Sequence, residues 1–155
     1  MSTMTTLAEL PALKGQPLGT SEWFEITQQR VNTFADATED HQWIHVDVER
    51  ASRESPFGGP IGHGFLTLSL FVPMWSQVLV VTDAGMVVNY GLNKVRFPAP
   101  VPVGSRVQLT ATLVDVAEVM ADCCSRSAGS SSGRAATSRS ACSSRSSGAT
   151  PDRYA

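Results

Sequence analysis

Asp40 and His45 stand five residues apart and are of the two types that most readily handle a proton together. A carboxylate can take a proton from water, while a neutral imidazole holds the same water and shares the proton traffic. Spacing alone fits a helix cap beside a surface imidazole equally well, so the pair needs a second feature. That feature is the run Phe57-Gly58-Gly59-Pro60-Ile61-Gly62-His63-Gly64-Phe65, a glycine-rich approach to a long apolar stretch. Amides at a helix N-terminus lack intrahelical acceptors and attract developing negative charge, and glycine lets a ligand come close to the backbone. An oxyanion site in this run is therefore chemically reasonable, although a plain loop with unusual backbone angles would look the same. The run is not a dinucleotide fingerprint, because no strand precedes it and no βαβ unit frames it.

The elements that must position these residues follow from periodicity. Residues 22–26 have strand composition, and Thr27 reads as the N-cap of a helix running to Ala37 with Val31 and Phe34 on one face. Residues 38–44 have no apolar period and read as a loop, which places the Asp40/His45 pair between that helix and a short one capped by Asp47. Residues 61–80 form the longest apolar helix candidate, expected to be buried on most sides and kinked by Pro73. Strand pieces follow at 86–90 and 95–97. Val107, Leu109, Ala111 and Leu113 then alternate with polar or small neighbours across 106–116, a half-buried strand pattern. Residues before Thr20 read as a leader draped over the surface. This order suits an α+β architecture, an antiparallel sheet around one central helix.

The bulk composition excludes several function classes. A formal net charge of −2 gives no electrostatic case for a nucleic-acid partner. The longest apolar stretch is broken by Thr67, Ser69, Pro73, Ser76 and Gln77, so neither membrane spanning nor secretion is indicated, and a cytoplasmic location is expected. Cys123, Cys124 and Cys142 lack histidines at ligand spacing, so no metal site is expected there.

Composition changes sharply at Met120. Residues 121–155 hold eleven Ser, seven Ala, five Arg and all three Cys, but no Leu, Ile, Val, Phe or Trp. The expected organisation is one domain over 1–120 and a low-complexity tail over 121–155, unable to bury enough apolar surface to offset its ordering entropy. Two origins fit that tail. One is a flexible Ser/Arg-rich extension. The other is a shifted reading frame in a GC-rich gene, where a Val codon GTC reads one nucleotide later as the Ser codon TCG.

The two chemical features together carry a resemblance. Residues 34–70, FADATEDHQWIHVDVERASRESPFGGPIGHGFLTLSL, resemble the hydratase motif of the MaoC-like dehydratases and (R)-specific enoyl-CoA hydratases, especially the NodN-like branch. Weaker similarity through Asn89-Tyr90-Gly91-Leu92-Asn93-Lys94-Val95-Arg96-Phe97 and Pro102-Val103-Gly104 extends the match to Val116. The resemblance implies a hotdog fold, a curved antiparallel sheet wrapped around a long central helix, usually in a homodimer. It implies Asp40 and His45 as catalytic residues, the Gly64 amide as oxyanion donor, an enoyl-CoA thioester as substrate and no cofactor. His63 would orient the loop, His41 reads as a solvated residue, and Lys94 and Arg96 could meet a CoA phosphate.

Departures from the family pattern are visible. Gln42-Trp43 replaces a common Asn-Pro, and Glu39 stands where glycine is common, with its carboxylate expected to be exposed. Family members continue with further hydrophobic strands that nothing after Met120 supplies, so the sheet is expected to be incomplete at its C-terminus. The chain is accordingly expected to fold poorly or to be inactive. A non-catalytic acyl-CoA-binding hotdog protein is the alternative. A hotdog thioesterase is weaker, since residues 65–80 contain no Asp or Glu to serve it. The nucleotide sequence separates the two origins of the tail: a frame shift predicts that an alternative frame after codon 120 encodes alternating Val-rich strands, and the idea fails if neither alternative frame does.

Overall fold

The first long helix forms where its cap predicts. Thr27 has extended backbone and its side chain accepts from the Arg30 amide, which supplies one of the acceptors the first turn lacks. The computed structural model describes residues 2–119, 122–131 and 136–143. In chain order these contain β1 (Thr3–Thr5), a 3-10 turn (Leu10–Leu13), β2 (Pro17–Thr20), β3 (Phe24–Glu25), α1 (Gln28–Thr38), α2 (Trp43–Val46), α3 (Val48–Glu54) and β4 (Ile61–Gly62). They continue with α4 (Gly64–Ser69), α5 (Phe71–Val78), β5 (Leu79–Val81), β6 (Met86–Lys94), β7 (Val101–Pro102), β8 (Arg106–Val107), β9 (Leu109–Val119), β10 (Asp122–Ser131) and β11 (Ala136–Ser143).

The main sheet is antiparallel, with strand order β2-β9-β10-β11-β6, and α5 packs on β9 and β2. Alternation places Leu109, Ala111 and Leu113 inward while Thr110 and Val114 face out, as the period of two requires. Against that face sit Leu66, Leu70, Phe71, Met74, Trp75 and Val78 of the helical segment. Each large side chain so buried contributes about 1.5–3 kcal/mol relative to exposure. Two smaller pairings flank the helical segment in sequence, β4 with β7 before α4 and β5 with β1 after α5.

Four expectations need correction. The long helix is two helices meeting at Leu70, because Pro73 cannot donate to the carbonyl of Ser69 and its ring crowds that carbonyl. The helical segment is buried on one face rather than most sides, for Phe65 and Val72 remain exposed. The first twenty residues are not merely draped: Leu10 and Leu18 enter the core, since a short turn and an edge strand bury single leucines without any readable period. The piece at 86–90 extends into one longer strand, β6, that ends at Lys94, and residues 95–97, expected as a second strand piece, carry no strand before the prolines begin.

Beyond Met120 the described backbone of β10 and β11 pairs between β9 and β6, while the sheet is incomplete toward the C-terminus, as expected. Ladder bonds use main-chain groups, and residues 121–150 contain no proline to interrupt them. What the composition withholds from the sheet's C-terminal part is large aliphatic cover. Residues 121, 132–135 and 144–155 of the low-complexity tail lie outside the described residues. Among the described residues no helix is long and apolar enough to cross a membrane.

Leu113 is fully buried on β9 and distant in sequence from the candidate site. Leu113→Ala should lower unfolding free energy by about 2–5 kcal/mol in urea titration; a loss below about 0.5 kcal/mol would contradict the core described, because changes that small are typical of surface positions.

Candidate active site

The site is built from a tight reversal after α1. Glu39 adopts φ 60°, the left-handed region, and its side chain is exposed as expected. A residue with a Cβ there costs about 1 kcal/mol, which gives a physical reason for glycine at this position in the resembling family. The reversal turns the chain so that Asp40 follows immediately on the far side of the helix end, with its side chain 55% exposed and open to an incoming molecule.

His45 does not sit on a loop. It lies in α2, a single helical turn closed by the Asp47 amide on the Trp43 carbonyl, too short to show a period in sequence. Its ring is buried, and Nδ1 lies 2.7 Å from the Ile61 carbonyl oxygen. A carbonyl can only accept, so Nδ1 carries a proton and donates, which leaves Nε2 as the ring nitrogen facing the site's chemistry. Gln28 on α1 fastens the same turn, its Nε2 donating to the His45 carbonyl at 2.7 Å and to Asn32 Oδ1 at 2.8 Å. Asp47 then caps α3 through the Arg50 amide, and the Arg50 guanidinium lies 4.4 Å from the centre of the Trp43 ring.

The glycine-rich run delivers a second imidazole. His63 is 3% exposed and stacks on His45 with ring centres 3.8 Å apart and planes 29° apart. Its Nε2 lies 2.9 Å from the backbone carbonyl of Asp40 and 3.9 Å from Asp40 Oδ2, and the Phe34 ring packs 5.1 Å away on α1. Asp40, His45 and His63 each present a polar atom within 4.8 Å of the others. Such a trio could suggest a metal site. Imidazole lone pairs lie in the ring plane, however, and two stacked rings do not aim at one point about 2.0–2.1 Å from both nitrogens, so the arrangement suits a hydrogen-bonded small molecule better.

Gly64 is the first residue of α4, so its amide belongs to the first turn, whose amides have no intrahelical acceptor. A cleft of about 460 Å³ runs beside α1, lined by Thr27, Arg30, Thr33, Phe34, Ala37 and Leu66. Phe34 is a wall shared by that cleft and by His63. Thus the sequence-derived pair Asp40 and His45 comes together beside the Gly64 end of α4. His41 stays outside, exposed and paired with Asp36 at 2.9 Å. Lys94 and Arg96 are exposed, the latter donating to the Val95 carbonyl. The His63 stack and the Gln28 brace were not readable in sequence, because neither has a local spacing that announces its partner.

Comparisons with known proteins agree on one group. The family described as MaoC like domain matches residues 9–131. The chain is similar to 3-hydroxyacyl-thioester dehydratase Z of Mycobacterium tuberculosis, 55% identical over 119 residues that cover 77% of this chain and 78% of the relative. It is 54% identical to Nodulation protein N of Rhizobium leguminosarum bv. viciae over 104 residues, 66% of this chain and 65% of the relative. In three dimensions it matches the (R)-hydratase from A. caviae involved in PHA biosynthesis with a TM-score of 0.62 at 24% identity, covering 83% of this chain and 93% of that one. The fold is that of the hotdog hydratases.

The glycines flanking His63 differ in tolerance. A Cβ at Gly62 would lie 3.0 Å from Ile26 Cγ2, a fully buried side chain, whereas at Gly64 it would lie 3.1 Å from the half-exposed Phe97 ring, which can swing away. Gly62→Ala should therefore cost about 1–3 kcal/mol in thermal or urea unfolding and Gly64→Ala clearly less; the reverse order would show that the packing around His63 is misdescribed.

Proposed function

We propose, from the premise that this chain belongs to the MaoC-like dehydratase family, that it adds water to trans-2-enoyl-CoA to give (R)-3-hydroxyacyl-CoA, and catalyses the reverse dehydration. The observation that carries this reading is the convergence of Asp40 and His45 at the N-terminal end of α4. Hydration needs an activated water at C3, a proton for C2, and stabilisation of the enolate oxygen between those events. In this reading a water is held between the Asp40 carboxylate and His45 Nε2. Its oxygen bonds to C3 as a proton leaves for the pair, the C2=C3 electrons move onto the thioester oxygen, and the held proton returns to C2. The Gly64 amide meets that oxygen; losing an oxyanion donor of this kind typically costs about 3 kcal/mol.

The substrate's acyl or pantetheine arm lies along the cleft beside Phe34 and Leu66. A homodimer in the cytoplasm is part of the proposal, supported by the exposed Met86, Val87, Val88, Tyr90 and Leu92 on β6, the last strand of the main sheet. A second reading, a catalytically impaired acyl-CoA-binding protein, is favoured by one observation: the sheet's last strands draw on residues 121–155, which contain no Leu, Ile, Val, Phe or Trp.

Absorbance of the enoyl-thioester band with crotonyl-CoA separates the readings. In the hydratase reading the wild-type chain turns over, against the expectation of inactivity drawn from its tail, and Asp40→Asn and His45→Gln each lose roughly 10²–10⁴-fold in kcat. Unchanged turnover in either variant refutes the assignment, while crotonyl-CoA binding without turnover in the wild type establishes the second reading.

A further inference from the structure

His63 is the one residue of the cluster whose side chain reaches both members of the proposed pair. Its Nε2 lies 2.9 Å from the Asp40 carbonyl oxygen, so this nitrogen carries the proton and donates. Its ring covers one face of His45 at 3.8 Å. Its own place is set by three constraints: it is the N-cap of α4 without any capping hydrogen bond from its side chain, it is 3% exposed, and Phe34 packs beside it. Nδ1 is buried and finds no protein partner among the described residues. An N-cap position would be better served by Ser, Thr or Asp, and a buried site by an apolar ring, so local helix stability does not account for histidine here.

Two contacts do account for it. Asp40 follows a strained left-handed residue and has a half-exposed side chain, and the hydrogen bond from His63 ties its backbone to the buried part of the site. His45 is held at Nδ1 by Ile61, which leaves the ring free to rock about that bond unless a flat surface lies against it. An imidazole supplies both, a directed N–H and a flat face. Leucine or phenylalanine would supply at most the face, and glutamine only the donor.

We infer that His63 is a positioning residue that holds the Asp40 carboxylate and the His45 imidazole in one geometry, through its N–H to the Asp40 carbonyl and its stack on the His45 ring. This rests on the hydratase reading for its kinetic consequence but not for its structural one.

The test uses His63→Phe, which keeps the face and loses the donor, His63→Gln, which keeps the donor and loses the face, and His63→Ala, which loses both. Each single loss should lower kcat on crotonyl-CoA about 10-fold and His63→Ala about 100-fold, with KM changed less than about threefold, since misplacement of roughly an ångström carries losses of that order. In an Asp40→Asn background the His63→Phe loss should largely vanish, because the group it positions is already gone; a merely structural role would give additive losses. Ring relaxation of His45 supplies a readout independent of turnover: the order of its Cε1–H and Cδ2–H vectors should be high in the wild type and clearly lower in His63→Ala, while the Nδ1–H tautomer set by Ile61 is kept. The inference is overturned if Phe and Gln variants both keep kcat within twofold, or if the His45 ring order in His63→Ala equals that of the wild type. Should the wild type not hydrate crotonyl-CoA while the His45 ring order falls as described, the hydratase reading fails and the positioning role stands.

Discussion

The buried hydrogen bond from His45 Nδ1 to the Ile61 carbonyl, 2.7 Å long and spanning sixteen residues of sequence, sets the orientation on which the site depends. Both groups lie away from solvent, so separating them would leave a buried donor and acceptor unmet at about 1–3 kcal/mol each. That cost fixes the imidazole relative to the start of the central helix and commits Nδ1, leaving Nε2 for chemistry. Ile61 is itself held by pairing of β4 with β7, and Gly62 lets Ile26 pack within contact of the same strand. The core therefore reaches the site through two residues of strand, and the alignment of His45 is inherited from the packing of the helix against the sheet.

How much of this was readable in sequence depended on whether a contact was local. Asp40 and His45 share one short segment, and the glycine-rich run directly precedes α4, so both features could be noticed locally, and the family resemblance they carry pointed to Asp40, His45 and Gly64. The alternation along β9 and the Thr27 cap were equally local and reappear in the structure. α2 escaped notice because one turn of helix has no period to detect. Leu10 and Leu18 escaped because isolated leucines in a polar leader carry no pattern, yet both are buried against the helix and sheet. His63 was visible as a neighbour of Gly64, but its stack on His45 and its bond to Asp40 join segments eighteen and twenty-three residues apart, a relation only the fold creates.

The C-terminal part separates two kinds of information that usually coincide. Backbone ladders place β10 and β11 between β9 and β6 without regard to side-chain type, whereas the composition after Met120 offers Ser, Ala, Arg and Cys where a sheet around a helix calls for large aliphatic residues. The similarity to dehydratase Z spans 119 residues, and the Asp40, His45 and Gly64 positions all precede the compositional break. The site and the sheet's last strands are thus separable problems: the first is set by the α1 to α4 segment, the second by the cover those strands bring.

The central claim is that one water, held by Asp40 and His45 together, supplies both hydroxyl and proton. Hydration of crotonyl-CoA in D₂O, with the relative configuration of the new C2–D and C3–O bonds read by NMR, tests it most directly. A shared water requires addition of both groups to the same face of the double bond. Addition to opposite faces would place the proton source away from this pair and contradict the account.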